Sequence, residues 1–193
     1  MYTTILETSP LIEYVVDGQP RHVSEALVVG RVTSVSEGRS FAWTDEGGNE
    51  VRTEMTFNSK SSMVSTIHLH VLVESVQSRA STIVPGEEIT VGLALNAPVD
   101  IKAAVLELKA APGVAMYLVR SPVFDYDVKI WSVLDDGNFL GEVGDGATVR
   151  FPVLDVAQQG LVPKDLSVDD LLREPTKRQI VVKIVDGDQV RVP

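Results

Sequence analysis

His68 and His70 are the residues whose types and spacing most directly suggest metal chemistry. In an extended strand, residues two apart project from the same face, so both imidazoles can reach one ion. Glu74 lies further along the same stretch and His22 elsewhere in the chain. A closed site needs a third or fourth ligand, and spacing identifies none. The competing reading makes the pair the polar outer face of a half-buried strand. Asp135-Asp136-Gly137-Asn138 sets carboxylates beside a glycine, but it lacks the alternating ligands and terminal glutamate of an EF-hand loop. Turn chemistry accounts for those residue types, and equally for Gly144-Asp145-Gly146. Asp125 and Asp127 flank Tyr126 with the spacing that paired carboxylates would have on a strand, yet a chain with 27 acidic residues makes such pairs by chance.

Nucleophilic and phosphate-binding motifs are missing. The sequence holds no Gly-x-Ser-x-Gly elbow, no Gly-x-Gly-x-x-Gly run and no Walker loop. With no cysteine there is no disulfide, thiolate nucleophile or thiolate zinc site. The expectation is a protein that is not an enzyme and takes no cofactor.

Composition narrows the partners. The net charge of −10 repels phosphate backbones and anionic lipid, and the longest basic run is Lys177-Arg178, so nucleic-acid binding is not expected. No apolar stretch reaches the ~20 residues of a membrane helix, so membrane insertion is not expected either. Residues 1–10 lack the basic and apolar segments of a signal peptide. The default compartment is the cytoplasm if Met1 is the native start, and the cell surface or exterior if the natural chain begins earlier.

The elements that must position these residues are mostly strands. Ile67, Leu69, Val71 and Val73 share one face, and His68, His70, Leu72 and Glu74 the other. Ile89, Val91, Leu93 and Leu95 alternate with Thr90, Gly92 and Ala94, a small face that another element can approach closely. Pro85-Gly86 supplies the turn between these strands. Upstream, Glu25 to Val35 reads as a long strand with a bulge at Gly30. Ser36 to Ser65 reads as a long, partly hairpin-like connection whose Phe41 and Trp43 can contact a partner or pack onto the core. Helical spacing then appears from Ile101 to Leu108, with Asp100 as cap and Pro112-Gly113 as stop. Val114 to Val119 is a further strand, and Val128 to Leu134 with Phe139 to Val143 is expected to form a hairpin. Thr148 to Phe151 is a last short strand of this block.

The ends follow a different plan. Ser167 and Asp170 resemble a capping box before Leu171-Leu172. Asp186-Gly187 marks a hairpin between Gln179 and Val192, and Asp17-Gly18 a weaker one. The order of strand, long loop, strand, strand, helix and strands predicts a mainly β, OB-like small barrel with its helix between strands three and four. The predicted organisation is an extension over 1–24, a barrel core over 25–152, and a second extension over 153–193 with a short helix and β-hairpin.

Glu25-Ala26-Leu27-Val28-Val29-Gly30-Arg31-Val32 resembles the opening of uncharacterised bacterial, often actinobacterial, surface domains of OB-like, netrin-like type. His70 to Val76, Pro85-Gly86-Glu87, Asp136 to Gly141, Gly146 and Phe151-Pro152 extend the resemblance across roughly Glu25 to Pro152. It implies a fold and no activity, because the cysteines of the inhibitory netrin-like modules are missing. The functional expectation is a non-enzymatic protein-binding or self-associating domain that uses the long loop around Phe41 and Trp43 and its strand edges. The alternatives are a metal-binding protein using His68 and His70, and a structural component of a virion or cell envelope.

Overall fold

A computed structural model of the chain describes residues 12–16, 19–78, 83–110, 113–120, 122–124, 127, 129–134, 137–152, 166–173, 178–185 and 188–191. It is mainly β. The strands are β1 (Ile12–Val16), β2 (Gln19–Val23), β3 (Ala26–Glu46), β4 (Asn49–Met55), β5 (Val64–Ser78), β6 (Glu88–Asn96), β7 (Gly113–Val119), β8 (Ile130–Val133), β9 (Leu140–Val143), β10 (Thr148–Arg150), β11 (Leu166–Ser167), β12 (Arg178–Val185) and β13 (Asp188–Arg191). Among the described residues two α-helices accompany them, α1 (Ile101–Ala110) and α2 (Val168–Arg173).

A nine-stranded sheet runs β11-β10-β9-β7-β8-β6-β5-β3-β4. Within it β3, β5 and β6 form an antiparallel meander, β6 runs parallel to β8, and β8 pairs antiparallel with β7. β7 returns to β3, matching Ala26 with Leu118 and Gly30 with Val114, so five strands curl into a partial ring. The register between β3 and β5 slips at Val29/Gly30, the bulge expected there, which lets β3 bend from one part of the ring to the next. α1 lies between β6 and β7, and Asp100 Oδ1 accepts hydrogen bonds from the Lys102 and Ala103 amides at 3.0 and 3.1 Å, as the cap assignment required.

The alternation in β5 and β6 is realised in the packing. Ile67, Leu69, Val71, Val73, Ile89, Val91 and Leu93 are buried, while His68, His70 and Leu72 are half-buried. β7 is buried along its whole length. Tyr117 there meets Phe139 and Phe151 at centroid distances of 5.8 and 6.1 Å. Leu166 and Leu171 join the same core. Ser167 caps α2: its hydroxyl accepts from the Asp170 amide at 3.0 Å and donates to the Asp170 carboxylate at 2.6 Å.

The hairpin-like part of the Ser36–Ser65 connection is present and longer than expected: β3 continues to Glu46 and turns back through β4 as a ribbon, pairing Ser40 with Met55 and Glu46 with Asn49. One pairing differs from the sequence-based reading. Among the described residues β8 and β9 do not form a hairpin with each other. Both bond to the same edge of β7, β9 along Gly113–Met116 and β8 at Leu118–Val119. One long strand thus serves two short ones in succession, an arrangement no local turn signal specifies. The terminal segments pair together in a separate four-stranded sheet, β13-β12-β1-β2, whose centre is the parallel contact of β1 with β12. The Asp17-Gly18 and Asp186-Gly187 turns lie outside the described residues.

Candidate functional site

The outward side chains of β5 and β6 form the floor of an open cleft of about 480 Å³. His68 and His70 of β5 lie beside Thr90 of β6, Glu37 and Arg39 of β3, and Asp127 of the connection into β8. Four chain segments thus contribute.

Two glycines make the close approaches that shape it. Between Glu37 and Ser40 the β3–β5 register slips again, and the chain passes through Gly38. A Cβ on Gly38 would sit 2.3 Å from Thr66 Oγ1 and 2.8 Å from His68 Nε2, so only glycine admits both side chains. The Thr66 hydroxyl compensates the broken ladder: it accepts from the Arg39 amide at 2.7 Å and donates to the Arg39 carbonyl at 2.9 Å. On the other side, the Phe124 ring covers Gly92 so closely that a Cβ there would lie 2.2 Å from the ring edge. Phe124 is buried and meets the His68 ring edge-on at 6.5 Å. The small reverse face of β6 is therefore the seat of the Pro122–Phe124 turn. Asp127 follows that turn, and its carboxylate accepts from the Lys129 amide at 2.9 Å.

The histidines have different environments. His70 Nε2 is 3.2 Å from Ser36 Oγ, and its Nδ1 lies 3.9 Å from Glu88 Oε1. The second oxygen of Glu88 accepts from Thr33 Oγ1 at 2.7 Å. Burial lowers the pKa of His68 below its ordinary value. His70 and Arg39 push in the same direction and Asp127 opposes them. Among the described residues no group of three or more His, Cys, Asp or Glu is placed to hold a metal ion. His22 belongs to β2 of the other sheet, and Glu74 pairs with Arg31 at 2.6 Å. Asp125 and Asp136 lie outside the described residues.

The β3–β4 ribbon borders the cleft, and the Arg39 guanidinium pairs with Glu54 across it. Phe41 is packed inward, only 2% exposed, with the Arg52 guanidinium 4.9 Å above its ring and Trp43 6.3 Å away. Trp43 is half-buried. Phe41 thus roots the ribbon, while Trp43 keeps part of its surface in solvent. Arg39, Glu37 and Thr90 carry no sequence signal of their own; they reach the histidines through strand pairing. No described helix is long and apolar enough to cross a membrane. No protein-family profile, curated protein or solved structure matches this chain.

Proposed function

We propose that the five-stranded ring is an OB-type barrel, and that the chain is a non-enzymatic binding module taking an extended segment of a protein partner across the His68–His70 cleft. The strand order and the position of α1 support the barrel type. One observation carries the functional reading. The cleft lies on the second and third strands of the ring, between the β3–β4 ribbon and the Pro122–Ile130 connection, the face and the loops that bind extended polymers in such barrels.

The lining favours polypeptide over polyanion. Arg39 and the two histidines alternate with Glu37 and Asp127, and a peptide presents donors and acceptors of both kinds. A phosphate backbone would meet those carboxylates and a chain of net charge −10. Among the described strands β4 is the last of its sheet, and its outer edge suits main-chain pairing beside Trp43.

A displayed library of random peptides, selected on the full chain, tests the reading. Selected peptides are expected to lose tenfold or more in affinity with Thr90→Arg, which fills the cleft, and with Arg39→Glu, which reverses its charge. Selection of no peptide, or only of peptides indifferent to both substitutions, overturns it.

A further inference from the structure

A second cavity lies at the end of the ring beneath α1, away from the outer cleft. It measures about 360 Å³, at the small end of the range typical of ligand pockets. Its walls include Ile67 and Leu93, which are buried, together with Val114, Leu95 and the α1 residues Ala104 and Leu108. Their side chains are hydrocarbon, and Asn138 adds one uncharged amide to the lining. α1 packs over this end of the ring but does not fill it.

The charged groups that line the cavity have one sign. Glu107 of α1 and Glu142 of β9 both line it, and both are exposed to solvent. Among the described residues neither makes an ion pair, unlike Glu54 and Glu74 elsewhere on the surface. A hydrocarbon-walled cavity edged by two carboxylates complements a molecule with an apolar body and a cationic end. Desolvation of the body supplies affinity, and the carboxylates select the head group.

We propose that this cavity binds a small organic amine, its hydrocarbon part against Leu93, Leu95 and Leu108 and its ammonium between Glu107 and Glu142. The site is distinct from the outer cleft and does not depend on the peptide-binding reading.

Calorimetric titration of the full chain with hexylamine, hexanol and hexanoate, at low ionic strength, tests it. The amine is expected to bind at least tenfold more tightly than the carboxylate, with the alcohol between them. Glu107→Gln with Glu142→Gln, both at exposed positions, should erase the difference while retaining binding of the alcohol. Ala104→Phe should fill the cavity and remove binding of all three, while peptide binding at the outer cleft persists. Failure of all three ligands to bind, equal affinity for amine and carboxylate, or an amine preference that survives the double substitution would overturn the proposal.

Discussion

The side-chain amide of Asn58 and the peptide of Val99 hydrogen-bond to each other in both directions. Asn58 Nδ2 donates to the Val99 carbonyl at 2.7 Å, and the Val99 amide donates to Asn58 Oδ1 at 2.8 Å. The pairing imitates one rung of a β-ladder and fastens the β4–β5 connection to the chain entering α1. It extends inward: Oδ1 also accepts from Ser65 Oγ at 3.1 Å, and the backbone N–H of Asn58 donates to Ser40 Oγ at 3.0 Å. Ser40 and Ser65 are fully buried, so this network is how two core hydroxyls are satisfied.

Asn58 also has φ +55°, a left-handed conformation that asparagine tolerates better than most residues. Asn58→Ala is therefore expected to lose stability twice, through the bonds and through the backbone, by about 2–4 kcal/mol in all. Asn58→Gly keeps the backbone conformation and should cost about 1 kcal/mol less than the alanine variant. Urea unfolding midpoints separate the two contributions. An alanine variant as stable as the parent would show that the network contributes nothing net.

Gly92 and Phe124 pose a packing question that a double-mutant cycle answers. Gly92→Ala drives a methyl into the Phe124 ring, and overpacking of this kind typically costs about 1–3 kcal/mol. In a Phe124→Ala background the same methyl meets open space, so its cost should fall below about 0.5 kcal/mol. Equal costs in both backgrounds would mean that the ring moves aside freely. Because Asp127 follows this turn, Gly92→Ala should also weaken peptide binding at the cleft, which a merely local strain would leave unchanged.

The parts of this molecule legible in its sequence are those whose burial repeats with a local period. Val71 and Val91 face the core and His70 and Thr90 face out, and alternation reports that directly. Asp100 and Ser167 mark helix starts because the cap is a contact over two or three residues. The β3–β4 ribbon obeys the same logic only in part. Phe41 and Trp43 alternate on one flank and Val51, Thr53 and Met55 on the other, which is why it reads as partly hairpin-like, but Thr44 to Glu46 are all exposed and nothing marks how far β3 runs. The pairing of β1 with β12 joins residues more than 160 positions apart and leaves no local trace. The cleft is hidden for the same reason: the histidine pair is visible in the sequence, but Arg39, Thr90 and Asp127 reach it only through long-range pairing and the Phe124–Gly92 contact.

The protonation of His68 ties the cleft to stability. Burial, His70 and Arg39 hold its pKa below the ordinary 6.5, and Asp127 only partly offsets them. The unfolded chain therefore binds a proton at this residue more readily than the folded one. The neutral ring contributes its full stability above the unfolded value. That contribution is lost as pH falls from about 6.5 toward the lower folded pKa, and it is constant again below both. His68→Gln removes the titration, so the melting temperature of the parent should fall more steeply than that of the variant between pH 7 and pH 5. Asp127→Asn removes the opposing charge, and the midpoint of the His68 ring proton resonance should then move lower still. A His68 midpoint at or above 6.5 in the parent chain, or an upward shift in Asp127→Asn, would contradict the arrangement of charges described for the cleft.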